Sequence, residues 1–308
     1  MSEKALTHVA ISVGTANLSD WLSLLKPRVL VLVVYTGLIG LIIAPGHLSL
    51  LQDVTAILCI TGAAGACGAI NMWYDRDIDM VMRRTRNRPI PAGRMRPTAV
   101  IRFGVILAAL SVAIMAAVLN LTAALALLFS VCFYVFVYTA WLKRRTPQNI
   151  VIGGAAGALP PVIAWAASTG TISLTALVLF GIIFVWTPPH FWSLALWANN
   201  DYRKAGVPML PVVTGARETR RQILYYTIAL VPLSALPTVL GASGAVYLGA
   251  ALVFGAVFLW RAYAVTRDAQ DDHGVSQTGD RPARQAFKYS IIYLFALFGA
   301  LAVDHWLT

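Results

Sequence analysis

Nine long apolar windows, separated by short polar stretches, constrain this chain more than any other feature. Each window is about 17 to 25 residues long, the length that an α-helix needs to cross the hydrocarbon core of a bilayer. The sequence is 58% hydrophobic and 12% charged, with a mean hydropathy of +0.72, which is far from the composition of soluble domains. It therefore predicts an all-α, polytopic membrane protein with about nine transmembrane helices. The windows lie near residues 29–46, 52–73, 99–118, 121–141, 150–168, 172–198, 222–241, 244–264 and 287–306.

The 24 lysines and arginines are confined to alternate connections between these windows. All of them lie before the first window or in the connections 2–3, 4–5, 6–7 and 8–9 and their flanks, and none lies in the opposite connections. The positive-inside rule then predicts a cytoplasmic N-terminus and, after nine crossings, a C-terminus on the opposite side. The net charge of +11 is thereby explained as a topology signal, so we expect the lipid bilayer and no nucleic acid as a partner.

The start of the chain carries one positive charge, Lys4, in its first twenty residues and has no compact apolar core. Signal peptides and Arg-rich transit peptides differ from this pattern, so we expect no cleavage. We predict a cytoplasmic N-terminal segment over residues 1–28 and a single transmembrane domain over residues 29–308, with Pro27 suited to start the first helix.

An acidic motif closes the second window, where Asn71, Asp75 and Asp79 are spaced four residues apart. On a helix these positions share one face, and their side chains form an oxygen-bearing stripe roughly 12 Å long. Asp77 points elsewhere. Stacked acids repel one another unless a positive charge lies between them, so the motif calls for a cation.

The densest basic run in the chain follows this motif directly. Acids beside many cations, without a dedicated cage of oxygens, suit Mg²⁺ shared between a few carboxylates and a phosphorylated ligand. The alternative is a capped helix end followed by a solvated, charged loop. The run comprises Arg83, Arg84, Arg86, Arg88, Arg94, Arg96 and Arg102.

A second group of polar side chains lies in and after the sixth window. His190 and Asp201 are eleven residues apart, so on a helix they lie ~20° apart around the axis and ~16 Å apart along it. Asp201 alone is equally well explained as a helix-end charge, but with the acidic motif it becomes a candidate second metal–phosphate contact. His190 near the middle of the bilayer faces a cavity or a partner, with Trp186 and Trp197 near the same stripe.

Two proline pairs interrupt the apolar pattern, Pro160-Pro161 in the fifth window and Pro188-Pro189 in the sixth. Each proline removes a backbone hydrogen bond, so kinks or breaks are expected there. The alternative role for His190 is to satisfy carbonyl groups freed by the second pair.

Taken together, these residues resemble the UbiA superfamily of intramembrane prenyltransferases, and within it the branch that prenylates heme. The NxxxDxxxD motif of the superfamily is matched by Asn71, Asp75 and Asp79. Many members carry a second acidic motif, DxxxD, at the position of Asp201. This chain departs from that motif, because Ala205 stands four residues after Asp201. Further similarity lies in Met82-x-Arg84-Thr85-x-x-Arg88-Pro89, in Leu142-Lys143-Arg144-x-Thr146-x-x-Asn149-Ile-Val-Ile-Gly-Gly154, in Pro189-His190-Phe191 and in Asp201-Tyr202 followed by Gly206-x-Pro208-Met-Leu-Pro211.

This resemblance implies helices arranged around a central intramembrane cavity, in the inner membrane of a bacterium. It implies transfer of a farnesyl group from farnesyl diphosphate to a vinyl group of heme b, with addition of water, giving heme O and diphosphate. The further partners implied are an enzyme that oxidises heme O downstream, or oxidase assembly factors.

The resemblance also implies roles for individual residues. Mg²⁺ is the implied cofactor, with Asp75, Asp79, Asp201 and Asn71 as its ligands. His190 and these four residues are the candidate catalytic group. The candidate substrate-binding residues are Arg84, Arg88, Lys143, Arg144, Asn149, Tyr202, Lys26, Arg28, Trp186 and Trp197.

Two other functions are compatible with parts of the pattern. A prenyltransferase acting on an aromatic or quinone-precursor acceptor would need the same acidic motif. A transporter would also contain broken helices and intramembrane polar groups, but the acids here lie at one membrane edge beside basic loops and not at the midplane. Lys143, Arg144 and Arg145 could also be a membrane anchor.

Overall fold

The computed structural model describes residues 16–272 and 274–307, so the first fifteen residues of the predicted N-terminal segment lie outside it. The described ranges are helical apart from loops and one isolated antiparallel bridge between Gln270 and Ser276. The α-helices are α1 Leu18–Leu24, α2 Pro27–Ile42, α3 Leu50–Tyr74, α4 Arg76–Val81, α5 Pro97–Val118, α6 Leu121–Cys132, α7 Asn149–Ala158, α8 Pro160–Thr169, α9 Leu174–Trp197, α10 Asn199–Lys204, α11 Leu210–Val213, α12 Ala216–Val239, α13 Ala245–Thr266 and α14 Arg281–Leu307.

Eight helical stretches in the described ranges are long and apolar enough to cross a membrane. The pair α1 and α2, bent by 53°, passes the same test together and supplies a ninth. The fourth and fifth predicted spans are composite, over Leu121–Arg144 and Asn149–Thr169. A multi-pass membrane protein with about nine spans is therefore confirmed.

The bend between α1 and α2 places Lys26 beside the end of α3. Lys26 caps α2 in the left-handed region, with φ 54°, and Pro27 starts the helix as predicted. The chain can pass closely over α3 because Gly68 has no side chain: a Cβ there would lie 2.8 Å from the carbonyl oxygen of Leu24. The approach directs Lys26 towards Asn71.

The fourth span changes its helical geometry before it reaches the basic residues. After α6, residues Phe133–Trp141 form a π-helix, and Leu142–Arg144 form a 3₁₀ turn. The wider π turns change the side-chain register, so that Thr139 faces Asn71 and Lys143 reaches Asp75. Apolar periodicity predicts an ordinary helix here and misses this change.

The two proline pairs behave differently. The first pair ends one helix and begins another, because α7 ends at Ala158 and α8 begins at Pro160. A break at the second pair is not found, since α9 runs without interruption through Pro188 and Pro189. Both of these prolines are buried where α9 packs against α7, α12 and α14, and this packing supports the helix where backbone hydrogen bonds are missing.

The largest cluster of buried apolar residues joins helices from the beginning to the end of the chain. Its members come from α2, α3, α5, α6, α7, α8, α9, α12, α13 and α14. A smaller cluster joins Leu24 of α1 to Ala69, Met72 and Val100 of α3 and α5, so this part of the N-terminal segment packs on the spans. The division at residues 28 and 29 stays a prediction.

Candidate active site

The acidic motif lies at the joint between α3 and α4. The helix α3 ends at Tyr74, Asp75 caps it, and α4 begins at Arg76, so the prediction of one continuous helix through Asp79 is wrong at this point. Helical spacing nevertheless continues across the joint, because the Asp79 amide donates to the Asp75 carbonyl at 2.8 Å. Both carboxylates are buried, with residue exposures of 0% for Asp75 and 2% for Asp79.

A chain of hydrogen bonds connects two lysines through Asn71 and Asp75. The Lys26 ammonium donates to Asn71 Oδ1 at 2.7 Å, and Asn71 Nδ2 donates to Asp75 Oδ2 at 2.7 Å. The same carboxylate oxygen accepts from the Lys143 ammonium. Thr139 of the π-helix lies 3.3 Å from the Asn71 amide. The cation required by the stacked acids is therefore supplied by residues distant in the sequence.

Two arginines complete the ion pairs of the acidic motif. Arg88 Nη1 donates to both oxygens of Asp79, at 2.9 and 2.7 Å. Arg144 donates two bonds to Asp77, at 2.8 and 2.7 Å, and lies 3.5 Å from Asp75 Oδ1. As predicted, Asp77 points away from the buried pair, and its side chain is 58% exposed. The Arg144 guanidinium holds the pKa of Asp77 below its usual value.

Not every predicted cation joins this network. Lys26, Arg88, Lys143 and Arg144 do, whereas Arg28 and Arg84 are exposed and form no ion pair with residues of the described ranges. The network thus sets four cations against three carboxylates. A surplus of positive charge at a partly buried site favours an anionic ligand.

The segment after α9 packs beside the acidic motif. Tyr202 is buried in a cluster that includes Ile78 and Met82 of the acidic segment, residues 71–82, and Ile150 of α7. Asp201 is half-buried, and no ion pair joins it to another residue of the parts of the chain described. The structure therefore brings this segment to the site without drawing Asp201 into the ion pairs.

Four buried side-chain oxygens have no hydrogen-bond donor within the described ranges, and one of them, Gln270 Oε1, lies in the connection between α13 and α14. The other three are Asp75 Oδ1, whose nearest cation is Arg144 at 3.5 Å, Asn149 Oδ1 and Asn199 Oδ1. The Asn149 amide is fixed by its bond to the Thr146 carbonyl at 2.5 Å. Asn199 is absent from the sequence-based candidates, although it lies in the polar run before Asp201 that could have indicated it.

These oxygens bear on whether the site fits Mg²⁺. Residues 16–272 and 274–307 contain no group of three or more His, Cys, Asp or Glu side chains that could hold a metal ion. Protein sites for Mg²⁺ often use only one or two carboxylates together with substrate phosphates, and the free oxygen of Asp75 is a ligand of that kind. The residues thus fit Mg²⁺ held jointly with a phosphorylated ligand, while Asp201 as a ligand stays a prediction.

An open cavity of about 450 Å³ lies against the same network. The Asp77–Arg144 ion pair forms part of its wall, and Arg144 also lies 5.1 Å above the Tyr74 ring. The cavity leaves room for a ligand next to Arg144. Its lining consists of Trp73, Tyr74, Arg76, Asp77, Met80, Ile90, Pro91 and Arg144.

The second group of predicted residues forms an aromatic cluster between α9 and α14. His190 stacks on Trp186, with ring centroids 4.4 Å apart, and on Phe287, at 4.6 Å. Trp197 meets Phe287 edge to face at 5.4 Å, and His190 Nδ1 lies 2.7 Å from Ser290 Oγ. Phe287 and Ser290 could not be singled out from the sequence, because they lie about a hundred residues after His190 in an ordinary apolar window.

The similarity of this chain to known proteins indicates its family. The profile of the UbiA prenyltransferase family matches residues 33–292. A protoheme IX farnesyltransferase of Acidiphilium cryptum is 62% identical over 94% of this chain and 92% of its own length. A protein of the same name from Gluconacetobacter diazotrophicus is 54% identical over 99% of this chain and 97% of its own length.

Solved structures share the fold at low sequence identity. A digeranylgeranylglyceryl phosphate synthase aligns with a TM-score of 0.76 and 18% identity, over 94% of this chain and 99% of its own. A UbiA homologue from Archaeoglobus fulgidus bound to GPP and Mg²⁺ aligns with a TM-score of 0.67 and 17% identity, over 92% of this chain and 99% of its own. These likenesses establish the arrangement of the helices.

Proposed function

Because the chain belongs to the UbiA prenyltransferase family, we propose that it transfers a farnesyl group from farnesyl diphosphate to a vinyl group of heme b. Addition of water accompanies the transfer, and the products are heme O and diphosphate. The reaction class follows from the family, and the acceptor follows from relatives named protoheme IX farnesyltransferase that align with nearly the whole chain. The reaction is a step in the synthesis of heme A.

The ion-pair network around Asp75 carries the proposal. Ionisation of an allylic diphosphate develops negative charge on the leaving group, and preorganised cations stabilise that charge. Lys143 is already fixed by a carboxylate that is 0% exposed, and Lys26 is fixed through Asn71. Little reorganisation is needed when diphosphate arrives, because the cations are already in place.

Each residue of the charged group has a distinct part. Lys26, Arg88, Lys143 and Arg144 donate to oxygens of the diphosphate as its bond to farnesyl breaks, with Arg28 and Arg84 as outer cations. Asp75 and Asp79 orient these donors and would hold Mg²⁺, with Asn71, Asp201 and the free oxygen of Asn149 nearby in the proposed site. When bound, Mg²⁺ would neutralise part of the charge on the leaving group.

The farnesyl cation must then meet the heme before it meets water. The apolar spans exclude water from the path between the two substrates. The cation forms a carbon–carbon bond with the vinyl group, water captures the positive charge that this leaves on the former vinyl group, and one proton is released. We place the acceptor beside Trp186, His190 and Trp197, since flat aromatic side chains suit a porphyrin, and Tyr202 between this region and the acidic segment.

Orientation and partners form a separate part of the proposal. The basic connections would face the cytoplasm of a bacterial inner membrane, with the N-terminus inside and the C-terminus outside. Heme O is then released into or beside the bilayer, where an enzyme that oxidises it, or an oxidase assembly factor, would receive it. Fusion of a reporter that is active only in the cytoplasm to each terminus tests this orientation. Activity of the reporter at the C-terminus would contradict it.

The decisive experiment is turnover by the purified full-length protein. It is incubated in lipid nanodiscs with Mg²⁺, farnesyl diphosphate and heme b, and the pigments are separated by chromatography and weighed by mass spectrometry. We expect a heavier, more hydrophobic heme, whose mass equals that of heme b plus farnesyl and a hydroxyl group. Prenylation of 4-hydroxybenzoate in the same assay, with no product from heme, would contradict heme as the acceptor and support an aromatic acceptor.

A further inference from the structure

The neighbours of His190 leave Nε2 as the ring nitrogen without a hydrogen-bond partner in the described ranges. Trp186 stacks on the ring with an interplanar angle of 18°, and Phe287 stacks on it at 24°. The Nδ1 edge faces Ser290 at 2.7 Å. His190 is half-buried and also meets the Phe191 ring edge to face at 5.6 Å. Within the described ranges Nδ1 has a hydrogen-bond partner and Nε2 has none.

The Ser290 hydroxyl determines which ring nitrogen carries the proton. Ser290 Oγ lies 2.7 Å from the Phe287 carbonyl oxygen, which can only accept a hydrogen bond. The hydroxyl has a single proton, and donating it to this carbonyl leaves only lone pairs facing His190. If Nδ1 carried no proton, the single hydroxyl proton could serve only one of the two contacts of Ser290 Oγ. At the other contact, with Nδ1 or with the Phe287 carbonyl oxygen, two lone pairs would face each other. His190 therefore donates from Nδ1, and in the neutral ring Nε2 bears the lone pair.

Ser290 is a fixed junction between two helices. Its residue exposure is 0%, and its carbonyl accepts from the Trp186 indole at 2.8 Å. The backbone of Ser290 thus holds Trp186, while its side chain holds His190. Loss of the hydroxyl would remove one of these bonds and leave the other intact.

We propose that Ser290 is a positioning residue that holds His190 in the Nδ1-protonated form, so that Nε2 ligates the iron of the heme b substrate. The proposal rests on heme as the acceptor. A lone pair at Nε2 repels a propionate carboxylate and suits a metal ion. Histidine ligands of metals commonly donate their other ring nitrogen to a neighbouring group, which fixes the ring and makes the ligand more basic.

The test compares heme binding by the full-length protein and three variants. Heme b is titrated into each protein in detergent, and the iron–histidine stretch of the ferrous complex is recorded by resonance Raman spectroscopy. The variants are Ser290→Ala, His190→Ala and Ser193→Ala. Ser193 is the matched control, because it is also fully buried and donates at 2.7 Å to the Pro189 carbonyl.

We expect His190→Ala to lose the iron–histidine signal. Ser290→Ala should keep the signal at a lower frequency, since the ligand becomes less basic, and its heme affinity should fall about tenfold. The control should match the wild type. Ser290→Thr restores the hydroxyl and should return the frequency towards the wild-type value. If Ser290→Ala does not fold, His190→Gly with added imidazole tests ligation alone, and imidazole should restore a nitrogen ligand.

Two results would overturn the inference. An unchanged iron–histidine stretch and heme affinity in Ser290→Ala would contradict the positioning role. An unchanged heme spectrum in His190→Ala would contradict ligation of the iron. That second result is also the one expected if Nε2 only accepts a proton from water. Failure of the proposed function is distinguishable from both. A wild-type protein that shows the histidine ligand but never forms heme O contradicts the function and not the ligation.

Discussion

The two ends of the candidate site are built from different chemistry. Around Asp75 and Asp79, carboxylates and cations are paired one against another. Around His190 the neighbours are aromatic rings and one hydroxyl. A diphosphate needs many fixed charges, whereas a porphyrin needs flat apolar surfaces and a metal ligand. We therefore propose the charged end for the diphosphate and the aromatic end for the heme.

The largest expected effect is at the charged end. Asp75→Asn should lower turnover at least about 100-fold, because the change removes a carboxylate that fixes Lys143 and offers an oxygen to Mg²⁺. Heme O formation in a single turnover measures it. Asp20→Asn is the matched control, since Asp20 is also a buried acid, paired with Arg94 at 2.8 Å. Turnover within a few-fold of the wild type in Asp75→Asn would contradict the assignment.

Arg88→Lys should have the next largest effect. Lysine keeps the charge but loses the planar fork that binds two oxygens at once, so KM for farnesyl diphosphate should rise about tenfold. The heme titration should not change. Arg94→Lys tests the same exchange at an ion pair outside the site. An equal rise of KM in both variants would mean that the effect is a general one on folding.

How far the sequence predicts the site differs between its two ends. Asn71, Asp75 and Asp79 were identifiable from their spacing, because they lie within two helical turns. Lys143 was identifiable as a cation but not as the partner of Asp75, since the π-helix that turns it inward leaves no mark in the apolar periodicity. The fold class follows directly from the nine windows.

The aromatic end depends on contacts between α9 and α14. His190 stands out as a polar residue in an apolar span, but its hydrogen-bond partner Ser290 is a hundred residues away. A serine in an apolar window is ordinary, because its hydroxyl can bond to its own helix. Long-range packing decides this end, and no local pattern records it.

Asp201→Asn distinguishes the two explanations of that residue. If Asp201 is a metal–phosphate contact, Asp201→Asn removes one anionic ligand of Mg²⁺. The Mg²⁺ concentration needed for half-maximal turnover should then rise about fivefold. Heme affinity should stay the same. Asp53→Asn, at the start of α3, is the control for removal of an acid elsewhere. An unaltered Mg²⁺ dependence would leave Asp201 as a helix-end charge.

The smallest effect is expected at Asp77, where substitution should increase the affinity for diphosphate. Asp77→Asn removes the negative charge paired with Arg144 and leaves one acceptor oxygen in place of two. Affinity for diphosphate should therefore rise, and only about twofold, because an exposed ion pair contributes little. In the wild type the Arg144 guanidinium lowers the pKa of Asp77 below its ordinary value of 3.8. The pair is therefore intact at neutral pH and is lost only as the pH falls through that lowered pKa. Calorimetry at pH 7 measures the difference. Weaker binding in Asp77→Asn would show that Asp77 supports Arg144 and does not compete for it.

Division of the site into a diphosphate end and a heme end is tested most directly by two titrations on two variants. Lys143→Gln and His190→Ala are each titrated with inorganic diphosphate in the presence of Mg²⁺ and, separately, with heme b. We predict that Lys143→Gln binds diphosphate about tenfold more weakly and heme normally, while His190→Ala binds diphosphate normally and heme more weakly. Loss of both ligands to the same extent in both variants, or the reverse pattern, would contradict it.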